Sequence, residues 1–341
     1  MVDNNNFSQE INEEIAAFLE KRKKSLLKYK VKEENKLIDV LMSLTKTELD
    51  DIRINLGVGG TSSLKKQELA DALAGAILNF APNWLANIEN EQYELLNKIV
   101  QSETCIKGDI ITPSQVDYLN SIGIVFSGSK DKEHCLFIPE ELKEVFKNIN
   151  NKSFKKKVLL NNETVRLATG ILFYYGYLDY EQLYEMVTRI INKKEISLDR
   201  FVGVLINGSC WQDEIITLEI GTQHINVVNP EELIETQLEW SKEEFRPLSY
   251  EEIYQAGQPG YVVKNQQYLQ MEKFLAEKLN VSAEEVNGFM QDIIIMIMNE
   301  EASAFIFDYM QDMIVIPNQK IAKQLILLLR ELYNSVNIFK L

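Results

Sequence analysis

Histidine and cysteine are the scarce residues of this sequence: two and three, respectively, in 341. His134 and His224 have no His-x-x-x-His or His-Glu-x-x-His spacing and no cysteine partner, so the usual zinc ligand sets are excluded. Cys105, Cys135 and Cys210 form neither a Cys-x-x-Cys pair nor a secreted disulfide framework, and read as reduced thiols of a cytoplasmic protein. His134 and Cys135 adjoin on an expected strand, where successive side chains face opposite ways, so they cannot meet as base and nucleophile. Long apolar runs are missing too: the longest, residues 293–298, is far below the roughly 20 residues of a membrane helix. The N-terminus has no basic-then-apolar leader. The paired acids, such as Glu231-Glu232 and Glu300-Glu301, stand mostly at helix starts without a second ligand cluster. Gly57-Val-Gly-Gly-Thr-Ser lacks the phosphate-loop spacing. No nucleophile, base and orienting group can be assembled, and the expectation is a non-enzyme with no metal, no cofactor and no membrane partner.

Positive charge is in short supply overall, 36 Lys and Arg against 51 Asp and Glu, a formal −15. Beyond a Debye length such a molecule repels polyanions, so any nucleic-acid contact must be local. The deficit is uneven. Residues 1–80 hold 12 basic and 13 acidic side chains, and within them residues 21–36 carry eight basic side chains against Glu33 and Glu34 alone. That run either grips phosphates or forms a solvated helix face. With 45% hydrophobic and 26% charged residues the composition is that of a globular protein, long enough for two to four folded units. Abundant Asn, Lys and Ile suggest an AT-rich bacterial or phage source.

The most informative stretch is residues 44–73. Thr45 and Glu48 form a Thr-x-x-Glu capping box, Leu49, Ile52 and Leu56 follow at helical spacing, and Gly57 stops the helix. An extended link over 58–62 leads to Ser62 or Ser63 as cap of a second helix, with Leu64, Leu69, Ala72 and Leu73 inward and Lys65 and Lys66 at its exposed start. This helix-extension-helix pattern resembles the SAP and Rho termination factor N-terminal modules over about residues 40–80. The resemblance implies a nucleic-acid-touching module whose second helix and preceding loop approach a phosphate backbone through Arg53, Thr61, Ser62, Ser63, Lys65 and Lys66. Lys21, Arg22, Lys23 and Lys24 of the basic run join them as candidate nucleic-acid contacts. Asp50, Asp51, Glu68 and Asp71 oppose a strongly basic face.

The rest of the chain reads as a faint repeat. An apolar strand, a proline and a new helix recur around Pro139, Pro230 and Pro317. In the first copy a helix over 91–100, a Thr112-capped helix ending at Gly123, and a hairpin pairing 124–126 with 135–138 across 127–132 give the order of a winged helix. The second copy has helices over 164–175, 180–192 and 198–206, and a hairpin pairing 214–220 with 225–228 across Gly221-Thr222. The third, with helices over 268–279, 283–299 and 303–310, is mostly helical. The expected fold is therefore mainly α with small β-hairpins. Its parts are a helical arm with the basic run (1–37), the SAP/Rho-N-like module (38–81), winged-helix-like repeats (82–157 and 158–240) and a linker with a third helical repeat (241–341). Pro82 is expected to break the chain between the module and the first repeat, and Lys152, Lys155, Lys156 and Lys157 form a basic link between copies.

The repeats themselves are poor readers of DNA. The presumed second helix of the first copy, 114–122, has Asp117 and no Lys or Arg, and 198–206 has only Asp199 and Arg200. Trp84, Trp211, Trp240 and the aromatics of 173–177 lack interleaved cations and read as packing. The resulting expectation is a nucleic-acid-associated adaptor or regulator: its N-terminal module contacts DNA or RNA backbone, and its acidic repeats bind a protein partner. The competing reading is a pure protein-interaction or assembly factor, such as an acidic DNA mimic, which binds no nucleic acid.

Overall fold

The computed structural model describes Ala17 and residues 20–191, 196–238, 246–279, 281–336 and 339. The apolar residues Ile11, Ile15, Phe18 and Leu19 of the expected helical arm all lie outside these residues, as does Trp240. The chain divides into two compact units, 1–162 and 163–341. The charge divides with it: residues 163–341 carry 27 acidic and 14 basic side chains, which leaves 24 and 22 for residues 1–162.

In the first unit, α1 (residues 20–26) precedes α2 (Leu37–Ser43), α3 (Lys46–Asn55) and α4 (Lys66–Asn87). The capping box forms as its sequence dictates: Glu48 N–H donates to Thr45 Oγ1 at 3.2 Å, and Thr45 N–H to Glu48 Oε2 at 2.6 Å. Gly57, at φ 62°, ends that helix in the left-handed region. The second helix differs from expectation. Neither Ser62 nor Ser63 caps it; Lys65 is the N-cap and Glu68 Oε2 accepts its backbone N–H at 3.0 Å. Nor does Pro82 break it, for α4 runs on to Asn87. Pro82 is on the exposed face, where water can serve the carbonyl that its missing N–H leaves free, while Ala81, Trp84 and Leu85 stay buried.

Then come α5 (Asn90–Gln101), β1 (Ile106–Lys107), a 3₁₀ turn (Gly108–Ile110), α6 (Pro113–Ser121), β2 (Phe126–Lys130), β3 (Glu133–Phe137) and α7 (Glu140–Ile149). The antiparallel sheet has the order β1-β3-β2. Helix, strand, turn, helix and hairpin in that order is winged-helix-like, with the middle helix reduced to one 3₁₀ turn. The hairpin is longer than expected. Phe126 pairs with Phe137 and Lys130 with Glu133, so only Asp131 and Lys132 turn, at φ 54° and 70°. Two left-handed residues in a two-residue loop match the twist of the strands they join.

The helix α8 (Lys152–Tyr175) absorbs the lysines expected to form a link, and its residues 163–175 belong to the second unit. That unit continues with β4 (Tyr177–Asp179), α9 (Tyr180–Ile191), α10 (Leu198–Trp211), β5 (Ile215–Thr217), β6 (Gly221–His224) and α11 (Pro230–Leu238). The sheet order β4-β6-β5 repeats the topology of the first, with both inner helices at full length. Its hairpin is displaced from the expected register. Gly221 and Thr222 belong to strand β6, which is buried throughout and paired on both edges, and the turn falls on 218–220. The chain ends with α12 (Tyr250–Ala256), capped by Ser249, and the bundle α13 (Gln266–Lys278), α14 (Ala283–Met298), α15 (Ser303–Met313) and α16 (Gln319–Tyr333). Trp84, Trp211, Phe173, Tyr175 and Tyr177 are buried, so these aromatics are packing residues. Among the described residues no helix is long and apolar enough to cross a membrane.

Candidate nucleic-acid interface

Edge pairing positions the basic run. Val31 N–H donates to Ser129 O at 3.1 Å and Ser129 N–H to Tyr29 O at 2.7 Å, so residues 29–31 add to the outer edge of β2. Ser129 Oγ donates to Leu27 O at 2.9 Å, and the Tyr29 ring stacks on Phe137 with centroids 5.1 Å apart. Only glycine allows this approach at position 128, since a Cβ there would fall 2.9 Å from Tyr29 O and 2.7 Å from Val31 Cγ2. The hairpin edge that a wing would offer to a ligand is thus covered by the protein's own chain.

The docking brings α1 beside α6. Arg22 Nη1 lies 2.8 Å from Asp117 Oδ2 and Arg22 Nη2 donates to Pro113 O at 2.9 Å, so this guanidinium is an anchor. Ser25 Oγ donates to Glu48 Oε1 at 2.9 Å and ties α1 to α3. Consecutive basic residues on a helix point about 100° apart. They accordingly part company: Lys24 pairs with Glu20 at 3.6 Å, Lys21 is exposed, and Lys23 turns with Arg22 toward a groove.

That groove, about 460 Å³, is lined by Arg22, Lys23, Leu26 and Leu27 of the arm, Lys107 and Asp109 after β1, and Lys132, Glu133 and His134 of the hairpin. Four cationic side chains face two carboxylates. Lys23, Lys107 and Lys132 make no ion pair among the described residues, and each is exposed. At its wall the His134 imidazole presses on Gly108, where a Cβ would sit 2.0 Å from Nδ1. Its Nε2 is buried without a hydrogen-bond partner among the described residues. Burial lowers the His134 pKa below its ordinary value, Asp109 opposes that shift and Arg22 adds to it, so the ring is neutral at pH 7. With the His134 ring at its wall and Lys23, Lys107 and Lys132 exposed around it, the groove suits an anion met by ammonium groups.

The residues implied by the SAP and Rho-N resemblance lie elsewhere, since none of Arg53, Thr61, Ser62, Ser63, Lys65 and Lys66 lines the groove. Arg53 Nε donates to Asp50 Oδ1 at 2.9 Å, Thr61 Oγ1 to Val58 O at 3.2 Å, and the half-buried Lys66 donates through Nζ to Met42 O at 2.6 Å. Lys65, Ser62 and Ser63 remain exposed. Lys107 and Lys132 carry no clear signal in the sequence, because the residues immediately beside each are neutral or acidic. Only strand pairing sets them beside Lys23.

The helix α6, where a winged helix would read DNA, is committed to packing: Trp84 Nε1 donates to Tyr118 Oη at 2.8 Å, Ser127 N–H to Asn120 Oδ1 at 2.9 Å, and Arg22 sits on Asp117. In the second unit, His224 is buried, its pKa is pushed down to about 4 by burial, and its Nδ1 accepts Asn226 N–H at 3.2 Å, the partners of a core histidine. No three His, Cys, Asp or Glu side chains gather as a metal site among the described residues. No protein-family model matches this chain, and no curated protein or solved structure matches it significantly.

Proposed function

We propose that this protein is a non-enzymatic nucleic-acid-associated adaptor whose first unit holds a phosphate backbone in the groove between α1 and the β2–β3 hairpin, while its acidic second unit binds a protein. The carrying observation is the convergence of Lys23, Lys107 and Lys132 around His134 in a chain that is otherwise strongly acidic. The contact would be sequence-independent, because the groove presents ammonium groups rather than the planar, bidentate donors that read base edges. Large exposed apolar side chains on the second unit, among them Phe305, Val315 and Leu327, support the protein-binding half of the reading.

Fluorescence anisotropy of the full chain with labelled single-stranded DNA, duplex DNA and RNA tests this. Three phosphate contacts predict a log–log salt slope of about −3 on duplex DNA. Lys23→Glu with Lys107→Glu should abolish binding, and Lys65→Glu should leave it nearly unchanged. Loss on Lys65→Glu alone would move the site to the SAP-like surface. No binding by the wild-type chain at low salt would reject the proposal in favour of a protein-only adaptor.

A further inference from the structure

Two of the three cysteines meet in the first unit. Cys135 lies on β3 opposite Lys107 of β1, and Cys105 lies two residues before Lys107, just ahead of that strand. The two thiols are near enough to interact, since Cys105 is among the groups that raise the Cys135 pKa. Around them runs a short relay. Lys130 Nζ donates to Thr104 Oγ1 at 2.7 Å, and Thr104 Oγ1 donates to Cys105 Sγ at 3.7 Å. Cys105 is half-buried and within reach of a small oxidant, whereas Cys135 is buried. Burial first and the Cys105 contact second push the Cys135 thiol up to about 12, so it stays protonated and is not the first to react.

We propose that Cys105 and Cys135 are a redox pair that peroxide converts to an intramolecular disulfide. The Cys105 thiolate attacks one oxygen of hydrogen peroxide, the O–O bond breaks, and the departing hydroxide takes a proton to become water. The resulting sulfenic acid is then attacked by Cys135: the S–S bond forms, the S–O bond breaks, and the leaving hydroxyl carries off the Cys135 proton as a second water. Two thiols lose two electrons and one peroxide gains them. Cys105 precedes the two-residue strand β1 and lies outside its ladder, so forming the bond asks only this segment to move toward the Cα separation a disulfide requires. The same movement would shift Lys107, which the proposed function puts in the groove, although the disulfide itself does not depend on that reading.

Intact mass spectrometry of the full chain in a Cys210→Ser background decides the matter, since that change removes the exposed third thiol. Stoichiometric peroxide should lower the mass by about 2 Da, dithiothreitol should restore it, and a non-reduced digest should join the Cys105 and Cys135 peptides. In Cys135→Ser the intermediate cannot resolve, and a dimedone adduct should appear on Cys105. Gain of oxygen on Cys105 in the parent chain without the cross-link, or no reaction at either thiol, would overturn the proposal. Nucleic-acid binding before and after oxidation is a separate readout: loss of binding with the cross-link formed extends the proposal to regulation, and unchanged binding restricts it to the disulfide.

Discussion

Lys132 occupies a position that costs stability and yet puts a charge on the lining of the groove, so one substitution can separate the two effects. It turns the β2–β3 hairpin at φ 70°, immediately after Asp131 at φ 54°. A non-glycine residue in the left-handed region costs about 1–2 kcal/mol, and Asp-Gly is a favoured pair for a two-residue hairpin loop. Lys132→Gly should therefore stabilise the first unit by about 1 kcal/mol, after allowing for glycine's greater freedom in the unfolded chain. It should also remove one cation from the groove, reducing the magnitude of the salt slope by about 1. Stability can be followed by urea unfolding with Trp84 as the sole tryptophan, in a Trp211→Phe, Trp240→Phe background; Trp84 is buried against Tyr118 in this unit. Affinity comes from anisotropy on the same samples. Lys132→Asn, which tolerates the left-handed region without the charge, should weaken binding similarly at closer to native stability. A destabilised Lys132→Gly chain would refute the strained turn, and a stabilised chain with unchanged affinity would refute the lysine's role in the groove.

Glu89 is buried beside α5, and burial, reinforced by Glu91, raises its pKa to about 8 from an ordinary 4.5. The native state then holds a proton that the unfolded chain has released, so stability is highest below pH 4.5 and falls as pH rises toward 8. Between pH 4.5 and 7 the loss is on the order of 3 kcal/mol, and Glu89→Gln should be the more stable chain at pH 7 by a margin that shrinks toward pH 5, as urea midpoints at the two pH values would record. Gly128→Ala should displace residues 29–31 from the hairpin edge, losing two backbone hydrogen bonds worth about 1 kcal/mol each. Trypsin should then cut faster at Lys28 and Lys30, and equal cleavage rates would argue against edge docking in solution.

Local chemistry was legible where residues a few positions apart determine the outcome. The box at Thr45, the cap at Thr112, the stop at Gly57 and most helices of the second unit follow from spacing and capping alone, because each is satisfied by hydrogen bonds within one turn. Pro82 and the second hairpin were misread for one reason: whether a proline ends a helix, or a Gly-Thr pair a strand, depends on which face is wet and which edge is paired. The sequence by itself settled a mainly helical, acid-rich chain with its few spare cations toward the front. Only tertiary structure distributed the basic run, with Arg22 an anchor, Lys24 turned back onto Glu20, and Lys23 joined by Lys107 and Lys132 from distant strands. The physical cause is that a helix rotates each residue about 100° from the last, whereas strand pairing joins residues that the sequence keeps far apart.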